Sequence, residues 1–182
     1  MRPLLRRHAG SFIVGLGLAL AACSPPAEPA RDPAVTTTAA GPPLHFAYET
    51  LDGKPLTSDS LRGRITVLAF LTTYDFHSQA EARFLSSIAR RHTPRLNAAA
   101  LVLEAPENRP MVEAFSSALK LPYPVALADP ATIAGDGPFA GLHHVPSIVI
   151  LDREGREVFR HVGLIAEAAL EQAIRSVEPQ GR

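Results

Sequence analysis

Between residues 65 and 88 the chain changes its period. Ile65 to Leu71 is apolar apart from Thr66, and beyond Thr72 and Thr73 the apolar residues Phe76, Ala80, Phe84 and Ile88 recur every four positions. The run predicts a central strand and the four-residue spacing an amphipathic helix. A strand that feeds directly into a helix is how a βαβ unit begins, and where strands and helices go on alternating the crossovers are parallel. Tyr74, Asp75, Phe76, His77 and Ser78 then occupy the strand's exit and the helix's first turn, where open α/β sheets present their ligands.

The same alternation continues downstream. Pro94 stops the helix at about Thr93, and residues 96–103 form a second buried strand. Pro110 suits the first turn of a helix whose buried stripe is Val112, Phe115 and Leu119. Pro122 and Pro124 end that helix and lead into a short strand at 125–128, followed by a turn-rich stretch at 129–141. Residues 147–151 and 157–162 read as strands joined by the hairpin loop Asp152-Arg-Glu-Gly155. Ile165, Ala169, Ala173, Ile174 and Val177 mark a last helix, and Gly163 permits the bend into it. Upstream, residues 44–50 read as a short strand, Asp52-Gly53 as a turn, and 57–63 as a short helical turn. The predicted fold is α/β: a central mixed sheet flanked by helices on both faces.

Two stretches carry a resemblance. Phe70-Leu-Thr-Thr-Tyr-Asp-Phe-His-Ser-Gln-Ala-Glu81 is similar to the active-site segment of TlpA-type thioredoxin-like proteins (the redoxin, AhpC/TSA group), which runs roughly Phe-Trp-Ala-Thr-Trp-Cys-Pro-Pro-Cys-Arg-Ala-Glu. Phe70, Thr73, Ala80 and Glu81 match, Tyr74 replaces an aromatic residue, and the two cysteines fall on Asp75 and Ser78. Val145-Pro146-Ser147, at the start of a strand, resembles the family's Val-Pro-Thr. The resemblance covers roughly residues 44–178. It implies a thioredoxin-like fold, a cis peptide bond before Pro146, and a groove formed by Tyr74, Asp75, Phe76, His77, Ser78, Val145 and Pro146 in which relatives bind extended polypeptide.

The N-terminus reads as a targeting segment. Arg2, Arg6 and Arg7 precede an apolar stretch at 12–22, the layout of a secretory signal and short for a membrane span. It ends in Leu20-Ala21-Ala22-Cys23, which resembles a bacterial lipobox. That resemblance implies a signal peptide at 1–22, lipidation of Cys23, and a protein anchored in the cell envelope facing the periplasm, the outer membrane slightly favoured by Ser24. Residues 24–43 hold six prolines and five alanines without an apolar period. Such a composition predicts a tether (23–43) that cannot bury enough surface to order itself, ahead of the folded domain at 44–182.

Charge narrows the partners. The chain has 18 basic and 18 acidic residues. Three of the arginines lie in the leader, so the remainder carries 15 basic residues against 18 acidic ones. That balance gives no basic footprint for nucleic acid. The expected partners are a periplasmic protein or peptide and, through the lipid, the membrane.

The chemistry follows from the missing sulfurs. Cys23 is the only cysteine, so no intramolecular disulfide can form. Thiol–disulfide exchange needs an attacking and a resolving thiol. A carboxylate at 75 and a hydroxyl at 78 supply neither, so a thiol–disulfide oxidoreductase is what the family alone implies. Asp75 is expected to cap the helix, and Glu81 to face solvent. Arg83, Arg90 and Arg91 are expected to be a solvated face. Asp75, His77 and Ser78 lie within one helical turn and cannot take the separate orientations of a hydrolytic triad. The expected function is non-catalytic polypeptide binding without a cofactor. The alternative is metal binding or delivery, with zinc or copper held by Asp75, His77 and His143 or His144.

Overall fold

A computed structural model describes residues 41–178 and the short strand Val35–Thr36. The leader and Cys23 lie outside the described residues. In chain order the elements are β1 (Val35–Thr36), β2 (Ala47–Glu49), β3 (Pro55–Thr57), α1 (Ser58–Leu61), β4 (Ile65–Leu71) and α2 (Phe76–His92). There follow β5 (Leu96–Val102), α3 (Arg109–Leu119), β6 (Val125–Leu127), α4 (Pro130–Ile133), β7 (Ser147–Leu151), β8 (Glu157–Val162) and α5 (Glu167–Val177). Six strands form one mixed sheet in the order β1-β8-β7-β4-β5-β6, and β2 pairs with β3 in a separate hairpin.

Every residue of β4 is buried, Thr66 among them, as its largely apolar run requires of a strand covered on both faces. It runs parallel to β5 and antiparallel to β7. One face of the sheet packs Val67, Ala69, Leu71, Ile148 and Ile150 against α2, α3 and α5. The other packs Leu68, Phe70, Leu101 and Val149 against Phe46, Tyr48, Leu56, Phe139 and Leu142. There Phe139 meets Phe70 edge-on at a ring separation of 4.9 Å, and the Tyr48 hydroxyl lies 2.7 Å from that of Thr132 in α4. The hairpin and the short helices thus cover the face that the long helices leave open.

Four expectations change. The buried face of α2 is Ser78, Glu81, Ala82, Leu85, Ser86, Ile88 and Ala89, and Phe76 is 83% exposed. Three apolar residues outside that face had set the expected stripe, while two serines and a glutamate inside it carried no apolar signal. Glu81 is fully buried instead of facing solvent. In α5 Leu170 is buried and Ala169 is exposed. Within the expected tether, Val35 and Thr36 pair with His161 and Arg160, so β1 lies along the β8 edge. Unpaired main-chain groups on an edge strand accept a short extended segment whatever its composition.

Candidate functional site

The site is built where β4, β5 and β7 end or begin together. Parallel pairing sets Leu71 beside Val102, so two residues on, Thr73 stands beside Glu104. Antiparallel pairing sets Phe70 opposite Ser147, so the next step brings Leu71 opposite Pro146. The β4–α2 turn and the start of β7 are therefore neighbours, and the Val145–Pro146 bond is cis. The bond before Pro94, at the far end of α2, is cis as well.

Asp75 is the N-cap of α2, accepting a hydrogen bond from the Ser78 amide at 2.7 Å. Burial pulls its carboxyl upward, but hydrogen bonds from Ser78 and then the His77 amide, together with the electrostatic attraction of the His77 ring, outweigh that and hold it below the usual carboxylate range. The carboxylate occupies the positive end of the helix, where a thiolate would otherwise be favoured. Ser78 is fully buried, and its hydroxyl oxygen accepts from the Thr72 amide at 3.2 Å. Its oxygen braces the β4 exit and is not presented to solvent.

Tyr74 and Phe76 project from the same turn, 77% and 83% exposed. His77 is also exposed, with Nδ1 3.5 Å from the Asp75 carboxylate. The structure does not bring His143 to this pair. Its ring lies over Gly135, close enough that a Cβ there would sit 2.1 Å from the imidazole. Among the described residues no three His, Cys, Asp or Glu side chains stand together as a metal-binding group. Among the described residues the expected convergence of Asp75, His77 and His143 or His144 is thus not formed, and the His143 side chain turns toward the 135–141 loop.

Around Pro146 the main chain is unevenly satisfied. The Pro146 carbonyl accepts from the Gly163 amide at 2.8 Å and the His144 carbonyl from the Ser147 hydroxyl at 2.7 Å. Among the described residues neither main-chain group of Val145 has a hydrogen-bond partner.

Two acids support this region from below. Glu104, which sequence reasoning passed over, is 5% exposed; it accepts from the Thr73 amide at 2.6 Å and from the Asn108 side chain at 3.0 Å. The available signal was an acid directly after an apolar central strand, level with the neighbouring strand's exit. Glu81 accepts from the Ile165 amide at 3.0 Å through one oxygen, and the other has no partner. Burial pushes its carboxyl up to about 7, against that single hydrogen bond.

The chain matches no protein-family model and no curated protein. Solved structures do match it. A DsbF homologue from Corynebacterium diphtheriae superposes with a TM-score of 0.70 at 14% identity, over 82% of this chain and 96% of that one. The fold is thioredoxin-like. A secreted disulfide oxidoreductase of Mycobacterium tuberculosis, homologous to E. coli DsbE, gives 0.61 at 22% identity, over 72% and 95% of the two chains. A thiol:disulfide interchange protein of the thioredoxin family from Chlorobium tepidum gives 0.62 at 22%, over 78% and 99%. On this thioredoxin-like frame the cis-proline and the helix N-terminus are adjacent, and Asp75 and Ser78 stand at that N-terminus.

Proposed function

We propose that this thioredoxin-like chain is a redox-silent polypeptide-binding module, anchored in the bacterial cell envelope through a lipidated Cys23. The observation that carries the reading is the main chain of Val145, without a partner among the described residues, beside cis-Pro146 and next to exposed Tyr74 and Phe76. A free N–H and C=O at the lip of a sheet offer an extended segment the hydrogen bonds of strand addition, and the aromatic pair offers it apolar cover. Neither contact needs a thiol. Asp75 is committed to capping and Ser78 is buried, so no group at the turn is placed to attack a disulfide. Without a covalent step the complex is weak and reversible.

The test uses a labelled, S-carboxymethylated polypeptide that cannot exchange disulfides. Fluorescence anisotropy is expected to show saturable binding that the Tyr74→Ala/Phe76→Ala protein loses. Absence of binding by the unmodified protein, or measurable insulin-disulfide reduction by it, refutes the reading.

A further inference from the structure

The end of the sheet opposite the Asp75 turn carries a group of positive charges that the polypeptide-binding reading does not use. Pairing of Ile65 with Leu96 places Arg64 beside Arg95 at the starts of β4 and β5. Pairing of Thr66 with Leu151 extends two residues to place Arg64 beside Arg153, just past the end of β7. Three arginines thus stand abreast on adjacent strand ends, where neighbouring strands lie about 4.8 Å apart.

Their loops are tied together by hydrogen bonds and not by acids. The Gly63 amide donates to the Arg153 carbonyl at 2.8 Å, and Arg64 Nη1 donates to the Pro94 carbonyl at 2.9 Å. The flanking Arg62 and Arg156 have carboxylate partners in Asp59 and Asp152. Among the described residues Arg64, Arg95 and Arg153 have none within 4.0 Å. Like charges set side by side on a sheet repel, so the grouping is unfavourable unless something of opposite charge joins it.

Together with Gly63, Ile65 and Glu178 the three arginines line a concavity of about 320 Å³. Among the described residues, three guanidinium charges and one carboxylate line it, leaving two positive charges in excess. A phosphate monoester carries about −1.5 to −2 at neutral pH and offers three acceptor oxygens, and guanidinium forks bind such oxygens two at a time. We propose that this cradle binds a phosphate group, either free inorganic phosphate or the monoester headgroup of a lipid. It lies the length of β4 from the Asp75 turn, roughly 20 Å, so it is independent of polypeptide binding.

Two measurements on the full-length protein test this: calorimetric titration with inorganic phosphate, and co-sedimentation with phosphatidylcholine vesicles with and without phosphatidic acid. Saturable, salt-sensitive binding is expected in the phosphate arm or as a phosphatidic-acid-dependent increment in the vesicle arm. Arg64→Gln or Arg153→Gln weakens it about tenfold or more, the worth of one charge-assisted hydrogen bond. Glu178→Gln tightens it, a gain that misfolding cannot imitate, and Arg83→Gln on α2 leaves it unchanged. Binding in the phosphate arm identifies a soluble anion, and binding confined to the vesicles identifies a headgroup. No binding in either arm, or binding indifferent to Arg64 and Arg153, overturns the proposal.

Discussion

Glu81 shows how one side chain can be both fully buried and poorly partnered. It keeps one hydrogen bond, from Ile165, and leaves its second oxygen buried without a partner. Its carboxyl rises from 4.5 to about 7 in the folded chain, so between those values the native state holds the proton more tightly than the unfolded one. The resulting stability is fully present below pH 4.5 and is lost as pH rises through about 7. The shift corresponds to about 3 kcal/mol. Thermal unfolding of Glu81→Gln, followed from pH 4.5 to 8, is expected to lack this decline. An unchanged profile would place the titration elsewhere. Asp75 has the opposite sign, since its lowered carboxyl favours folding above the usual aspartate range.

Among the elements, α2 and α5 fold onto the same sheet face and hold the candidate site from behind. In α5 the apolar spacing offered Ala169 as a buried position, yet the helix turns Leu170 inward and leaves Ala169 out. Leu170→Ala is therefore expected to destabilise the domain by about 2–5 kcal/mol in urea unfolding, through the cavity it leaves. Ala169→Ser should change it by less than about 0.5 kcal/mol. Equal effects would mean the helix is rotated. The same ambiguity affected α2. Small and polar residues can face a tightly packed sheet when their hydroxyls find main-chain acceptors, as Ser86 does with the Ala82 carbonyl at 2.7 Å. Hydrophobic spacing does not register that option.

Across the whole molecule, a thioredoxin-like scaffold surrounds a turn that carries Asp75 and Ser78. If the scaffold alone sets reactivity, Asp75→Cys/Ser78→Cys should catalyse insulin reduction by dithiothreitol while the parent chain does not. The helix N-terminus would lower the first thiol's pKa, and the buried second position would supply the resolving thiol. A folded but inert double variant would show that more than two atoms separate this chain from turnover. The βαβ order, the strand limits at 65–71 and 147–151, the Asp75 cap and the cis bond before Pro146 were all legible beforehand. Each follows from a local pattern, namely a largely apolar run, a capping residue, or a proline in a stretch that resembles a family's Val-Pro-Thr. The burial of Glu81, the bracing by Glu104, the turning of His143 onto Gly135 and the row of arginines at the far sheet end were not legible. Each depends on which strand lies beside which and in what register, and that is settled only when distant segments pack against one another.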